Sequence, residues 1–181
     1  MADLTLLQAE RQHLANLLEA VQRCVYFLDA SERKISLPLS PGVLEQRKTD
    51  PDLFEPLAAV KERFSKLQDT LSAAMHHAVL LSGEKADSFL KVLAFFVKVG
   101  VVESVEAWQT CRTARNLAAH DYEIDYLAIA EHFNTLSELV PMLYGTSAKL
   151  LDYCAESLGI APAESELRQL FNAACARRLG T

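Results

Sequence analysis

The chain is poor in residues that break regular structure, with 6 glycines and 6 prolines in 181 positions. That scarcity, with no low-complexity tract, excludes a collagen-like or disordered chain and fits a turn-rich all-β protein badly. Cysteine is sparse as well. Cys24, Cys111, Cys154 and Cys175 form no C-x-x-C pair, and each falls in a helix-like apolar pattern. Buried thiols in a reducing, cytoplasmic setting are therefore the expectation. No apolar run approaches the roughly 20 residues of a membrane-spanning helix. The strongest, Phe89–Val102, is interrupted by Lys91 and Lys98. Met1–Leu7 carries Asp3 in place of a basic n-region, so neither a secretion signal nor a membrane partner is expected. Basic charge is also short: Lys and Arg total 18 against 24 Asp and Glu, a formal charge of −6. Such a balance disfavours a protein that coats nucleic acid or anionic lipid, and leaves room for a small local basic site.

What the chain does contain is helical apolar periodicity. Half of its residues are hydrophobic, enough for a domain of this length to fill a core without disulfides or a structural metal. Leu4, Leu7, Leu14, Leu17, Leu18, Val21, Val25 and Leu28 recur at helical spacing over Asp3–Ala30. Residues 31–50 hold two prolines and a glycine and read as a loop or mobile flap with room for one short turn. Asp50-Pro51 supplies an N-cap and a first-turn proline for a second long helix reaching about Leu81. A third helix is expected from about Lys85 to Val99, stopped by Gly100, and a fourth from near Glu103 to about His120. Another begins beyond Asp125, with Pro141 and Gly145 expected to kink or divide it, and a last one covers Glu164–Leu179. No alternating β-branched segment competes with these helices. The expected fold is all-α, an antiparallel bundle of four to six helices. Residues 1–145 form the main domain and 146–181 a helical extension packed on it.

Most catalytic signatures are missing. There is no glycine-rich phosphate loop, G-x-S-x-G elbow, H-E-x-x-H or cysteine-rich metal spacing, so no metal and no cofactor are expected. His76 and His77 would project about 100° apart on a helix, a poor arrangement for one ion. They read as surface and packing residues, and His13 and His132 as structural ones. The exception is Thr110–Tyr122, where Arg112, Arg115, Asn116, His120 and Tyr122 crowd into one short stretch. Arg115 is a permanent cation able to clamp phosphate, and His120 can exchange a proton near neutral pH. RNA cleavage without a metal needs those two roles. A base activates the ribose 2′-hydroxyl, an acid protonates the leaving 5′-oxygen, and a cation stabilises the phosphorane. On an unbroken helix Arg115 and His120 stand about 140° apart, whereas Tyr122 lies within about 20° of Arg115. Either the helix ends near Asp121, or two copies of the chain bring one arginine to the other's histidine. An arginine and a histidine that cap or salt-bridge a helix end remain an equal alternative on chemistry alone.

Arg115-Asn-Leu-Ala-Ala-His120-Asp-Tyr122 resembles the signature of HEPN-domain proteins and, in its arginine-four-histidine-one-tyrosine form, the HepT-like toxins. Motif and helix order together match residues 3–30 and 51–143. The resemblance implies a HEPN-type helical homodimer acting as a metal-independent endoribonuclease, with RNA as substrate and a minimal nucleotidyltransferase antitoxin as partner. It further implies Arg115 and His120 as the catalytic pair, Asn116 as their polar support, and Tyr122 as the tyrosine that receives AMP. In the family the two motifs face each other across the dimer cleft. Arg112 is a candidate for binding RNA, and Lys98 and Arg63 are further basic residues that can guide it. The competing expectation is a non-catalytic helical subunit that binds a nucleotidyltransferase or presents nucleotide to it.

Overall fold

A computed structural model describes residues 2–85, 87–116, 125–162 and 165–180. Among them are seven helices and no strand: α1 (Ala2–Glu32), α2 (Pro41–Gln46), α3 (Pro51–Leu81), α4 (Phe89–Lys98), α5 (Val105–Asn116), α6 (Tyr126–Leu158) and α7 (Ser165–Leu179). The all-α expectation holds. No helix of the described residues is long and apolar enough to cross a membrane.

The four longest helices form the bundle, and side-chain contacts fix their directions. Along α1 and α3, Arg63 meets Phe27, Thr70 meets Cys24 and His77 meets Glu10, an antiparallel pairing. Tyr144 reaches Val25, and Arg11 reaches the carbonyls of Leu158 and Gly159, so α6 also runs against α1. α7 returns along α6 and brings Arg177 and Arg178 to Asp29 and Glu32 at the end of α1. The core lies between these helices, on faces that the sequence marks at intervals of three and four. Leu14, Leu18, Val21, Val25 and Leu28 of α1 face Phe64, Leu67, Leu71 and Met75 of α3 and Leu136, Val140, Leu143 and Leu150 of α6, all fully buried.

Helix ends follow local chemistry. Asp50 accepts the amide of Asp52 at 2.9 Å to start α3, and Asp125 accepts those of Leu127 and Ala128 at 3.1 Å to start α6. Gly100 adopts φ +78° after α4 and Gly159 φ +62° after α6, left-handed geometry in which a β-carbon is strained. Two boundaries differ from expectation. α4 starts at Phe89 rather than near Lys85, because Ser88 is the cap and accepts the amide of Lys91. α5 starts at Val105, with Ser104 accepting the amide of Ala107 at 2.9 Å.

Residues 31–50 are docked rather than projecting as a flap. Asn134 of α6 brackets Leu39, accepting its amide at 2.7 Å and donating to its carbonyl at 3.0 Å. Ile35, Leu39 and Leu44 are buried. Of the two outcomes expected at Pro141 and Gly145, division does not occur: Tyr126–Leu158 is the single element α6, and position 145 falls inside it. Proline 141 withholds the amide that would bond the Ser137 carbonyl. Arg178 of α7 supplies a donor to that carbonyl at 3.1 Å, and also binds Ser137 Oγ at 2.5 Å and Glu32 Oε1 at 2.8 Å.

Candidate functional site

The conspicuous run of polar residues begins on α5, whose inner face is set by Trp108, Cys111 and Ala114, all buried. Gln68 of α3 donates to the Trp108 carbonyl at 3.3 Å and ties the two helices together. Arg115 lies seven residues beyond Trp108, about two turns along the same stripe, so its side chain enters the edge of the α3–α5 contact instead of pointing to water. Its side chain is 21% exposed. Nη1 donates to Asp69 Oδ1 at 2.5 Å and lies 3.4 Å from the Ser65 carbonyl, so both contacts fall on one face of α3.

The remaining predicted residues divide sharply. Arg112 and Asn116, one turn apart, occupy the exposed flank of α5. His120 and Tyr122 lie outside the described residues, as does the geometry that would relate them to Arg115. Arg63 is not part of this site. It donates to the Phe27 carbonyl at 3.0 Å and to Ser31 Oγ, with its guanidinium 5.6 Å from the Phe27 ring centre. On α3 it stands about 120–160° around the helix from Asp69 and Ser65. Lys98 is exposed at the end of α4. No family model matches this chain, and no curated protein or solved structure matches it either.

Asp69 is the residue of the site that sequence reasoning did not find. It lies 46 positions from Arg115 and carries no motif, and only the packing of α5 across α3 joins them. A second polar group also formed across helices. His77 Nε2 sits 3.0 Å from the Glu10 carbonyl and 3.1 Å from Glu10 Oε2, and its ring meets that of His13 edge to face at 4.8 Å. His13 thus has a histidine neighbour, supplied by α3 and not by its own helix. His76 is exposed, in keeping with a surface role. Among the described residues no three His, Cys, Asp or Glu side chains gather to hold a metal ion.

The thiols carry no sign of activated chemistry. Cys111, Cys154 and Cys175 are buried and Cys24 partly so, and all four are free. Burial pushes the thiols of Cys111, Cys154 and Cys175 up to about 12. It raises Cys24 too, despite the Thr70 hydroxyl and the charges of Lys66 and Arg23. Nucleophilic cysteines need the opposite shift.

Proposed function

We propose that the chain is a dimeric, metal-independent endoribonuclease of the HEPN superfamily, HepT-like in its motif, acting as the toxin of a toxin–antitoxin pair. One observation carries the reading: Arg115-Asn116-x-x-x-His120-x-Tyr122 in an all-helical chain, with Arg115 on a helix that packs on the bundle. In this mechanism His120 exchanges a proton with the ribose 2′-hydroxyl or the leaving 5′-oxygen. Arg115 offsets the charge that grows on the phosphorane. Asn116 supports the pair, and Arg112 on the same flank of α5 offers a second cation to the RNA backbone. AMP transferred to Tyr122 by a nucleotidyltransferase antitoxin would add bulk and negative charge where a phosphate must enter.

The test is cleavage of RNA by purified protein in EDTA. Wild type is expected to cleave, and His120→Ala to lose about a hundredfold or more, the usual range for a general acid–base group. Equal cleavage by both, or none by either, refutes the assignment. Tyr122→Phe should retain cleavage and escape silencing by the nucleotidyltransferase. The pairing of Arg115 with Asp69 favours a second reading, a non-catalytic subunit that binds nucleotide or a nucleotidyltransferase partner. Toxicity on expression that Arg115→Ala abolishes would exclude it.

A further inference from the structure

We propose that Asp69 is a built-in counter-anion of the Arg115 site, one that an RNA phosphate must displace, so that this carboxylate sets the affinity of the site. The inference rests on the reading of Arg115 as a phosphate-binding residue. A carboxylate and a phosphate present the same kind of acceptor to a guanidinium. The Asp69 Oδ1 atom, 2.5 Å from Nη1, therefore stands where a phosphate oxygen would compete.

Exposure decides which partner gives way. Asp69 is 61% exposed and Arg115 only 21%. Asp69 can turn into water at little cost. Arg115 is kept against α3 by the Ser65 carbonyl and by the buried stripe of Trp108, Cys111 and Ala114 that its helix shares. Loss of the carboxylate thus frees the arginine without misplacing it. An exposed ion pair of this type is weak, a factor of about five at most in an equilibrium. Until displaced, its negative charge also repels an approaching phosphate.

The experiment measures binding of a short labelled single-stranded RNA with 2′-O-methyl groups, which cannot be cleaved through its 2′-oxygen, by fluorescence anisotropy at low salt in EDTA. Asp69→Asn is expected to tighten binding about three- to fivefold, a gain that shrinks as salt rises. Arg115→Ala should weaken binding, and Asp69→Asn should add nothing in that background. Glu45→Gln, the same charge change at an exposed residue of α2, should leave affinity unchanged. If Arg115→Ala binds as wild type does, the phosphate-site reading fails and the proposal with it. If Arg115→Ala weakens binding but Asp69→Asn leaves it unchanged or also weakens it, the counter-anion role alone is overturned. A gain matched by Glu45→Gln would reduce the effect to net charge and overturn the role as well.

Discussion

Arg178 closes the end of the bundle where α1, α6 and α7 meet, and its removal should be costly in a pH-dependent way. One nitrogen of its guanidinium serves Glu32 Oε1, Ser137 Oγ and the Ser137 carbonyl that Pro141 leaves without its helical donor. Glu32 is 7% exposed and Arg178 31%. Breaking a buried ion pair by deleting one partner costs about 3–5 kcal/mol. Solvent around Arg178 reduces that share, while an orphaned carbonyl adds about 1–3 kcal/mol. Arg178→Ala is thus expected to lose about 2–4 kcal/mol at neutral pH, a large part of the roughly 5–15 kcal/mol that holds a domain folded.

The pH dependence follows from the environment of Glu32. Burial raises its pKa above the ordinary 4.5, against the charge and hydrogen bond of Arg178 that lower it. A carboxyl with a raised folded pKa contributes stability below its unfolded pKa, and that contribution fades as pH rises through the folded value. Without Arg178 its charge and hydrogen bond are lost, only the Ser137 hydrogen bond still lowers the carboxyl, and the folded pKa climbs further. The deficit of Arg178→Ala should therefore be greatest near neutrality and narrow as pH falls toward the ordinary glutamate range, where Glu32 is protonated in both proteins. Glu32→Gln in the same background should recover part of the neutral-pH loss. Urea unfolding of the three variants at several pH values is the assay. A deficit below about 0.5 kcal/mol, the level of an ordinary surface change, or one that does not vary with pH, would refute the reasoning.

Two further predictions concern the interior. Gln22 is fully buried on α1, and neither of its amide atoms has a hydrogen-bond partner among the described residues. Gln22→Met, close in volume and without polar hydrogens, should raise stability by about 1–2 kcal/mol in chemical denaturation, since an unmade buried hydrogen bond costs about that much. A loss of stability instead would contradict it. The raised thiol pKa values predict that Cys111, Cys154 and Cys175 resist a thiol-specific disulfide reagent at pH 8 in the native protein, and that all four cysteines react in denaturant. Rapid titration of more than one thiol in the native state would oppose this.

Much of the architecture was legible because helix formation reports itself locally. The apolar spacing from Leu14 to Leu28, the Asp50-Pro51 start of α3, the Asp125 start of α6 and the stop at Gly100 each reside within one or two turns of sequence. The expectations that moved were those that depend on distant partners. Pro141 is a breaker by local rules, yet α6 passes through it, and the carbonyl it orphans is satisfied by Arg178, 41 residues away. The proline-bearing segment 31–50 looks loose in one dimension and is held by Asn134, 95 residues from Leu39.

The candidate site divides along the same line. Sequence alone determined that the chain is all-helical and singled out Arg115, Asn116, His120 and Tyr122, because residue types and their spacing are one-dimensional properties. The tertiary structure decided what Arg115 touches. Its place on the Trp108 stripe turns it inward, and the crossing of α5 over α3 gives it Asp69 and the Ser65 carbonyl as partners. Neither partner carries a signal in the chain, since the electrostatics of a charged side chain depend on what folding brings within a few ångströms of it.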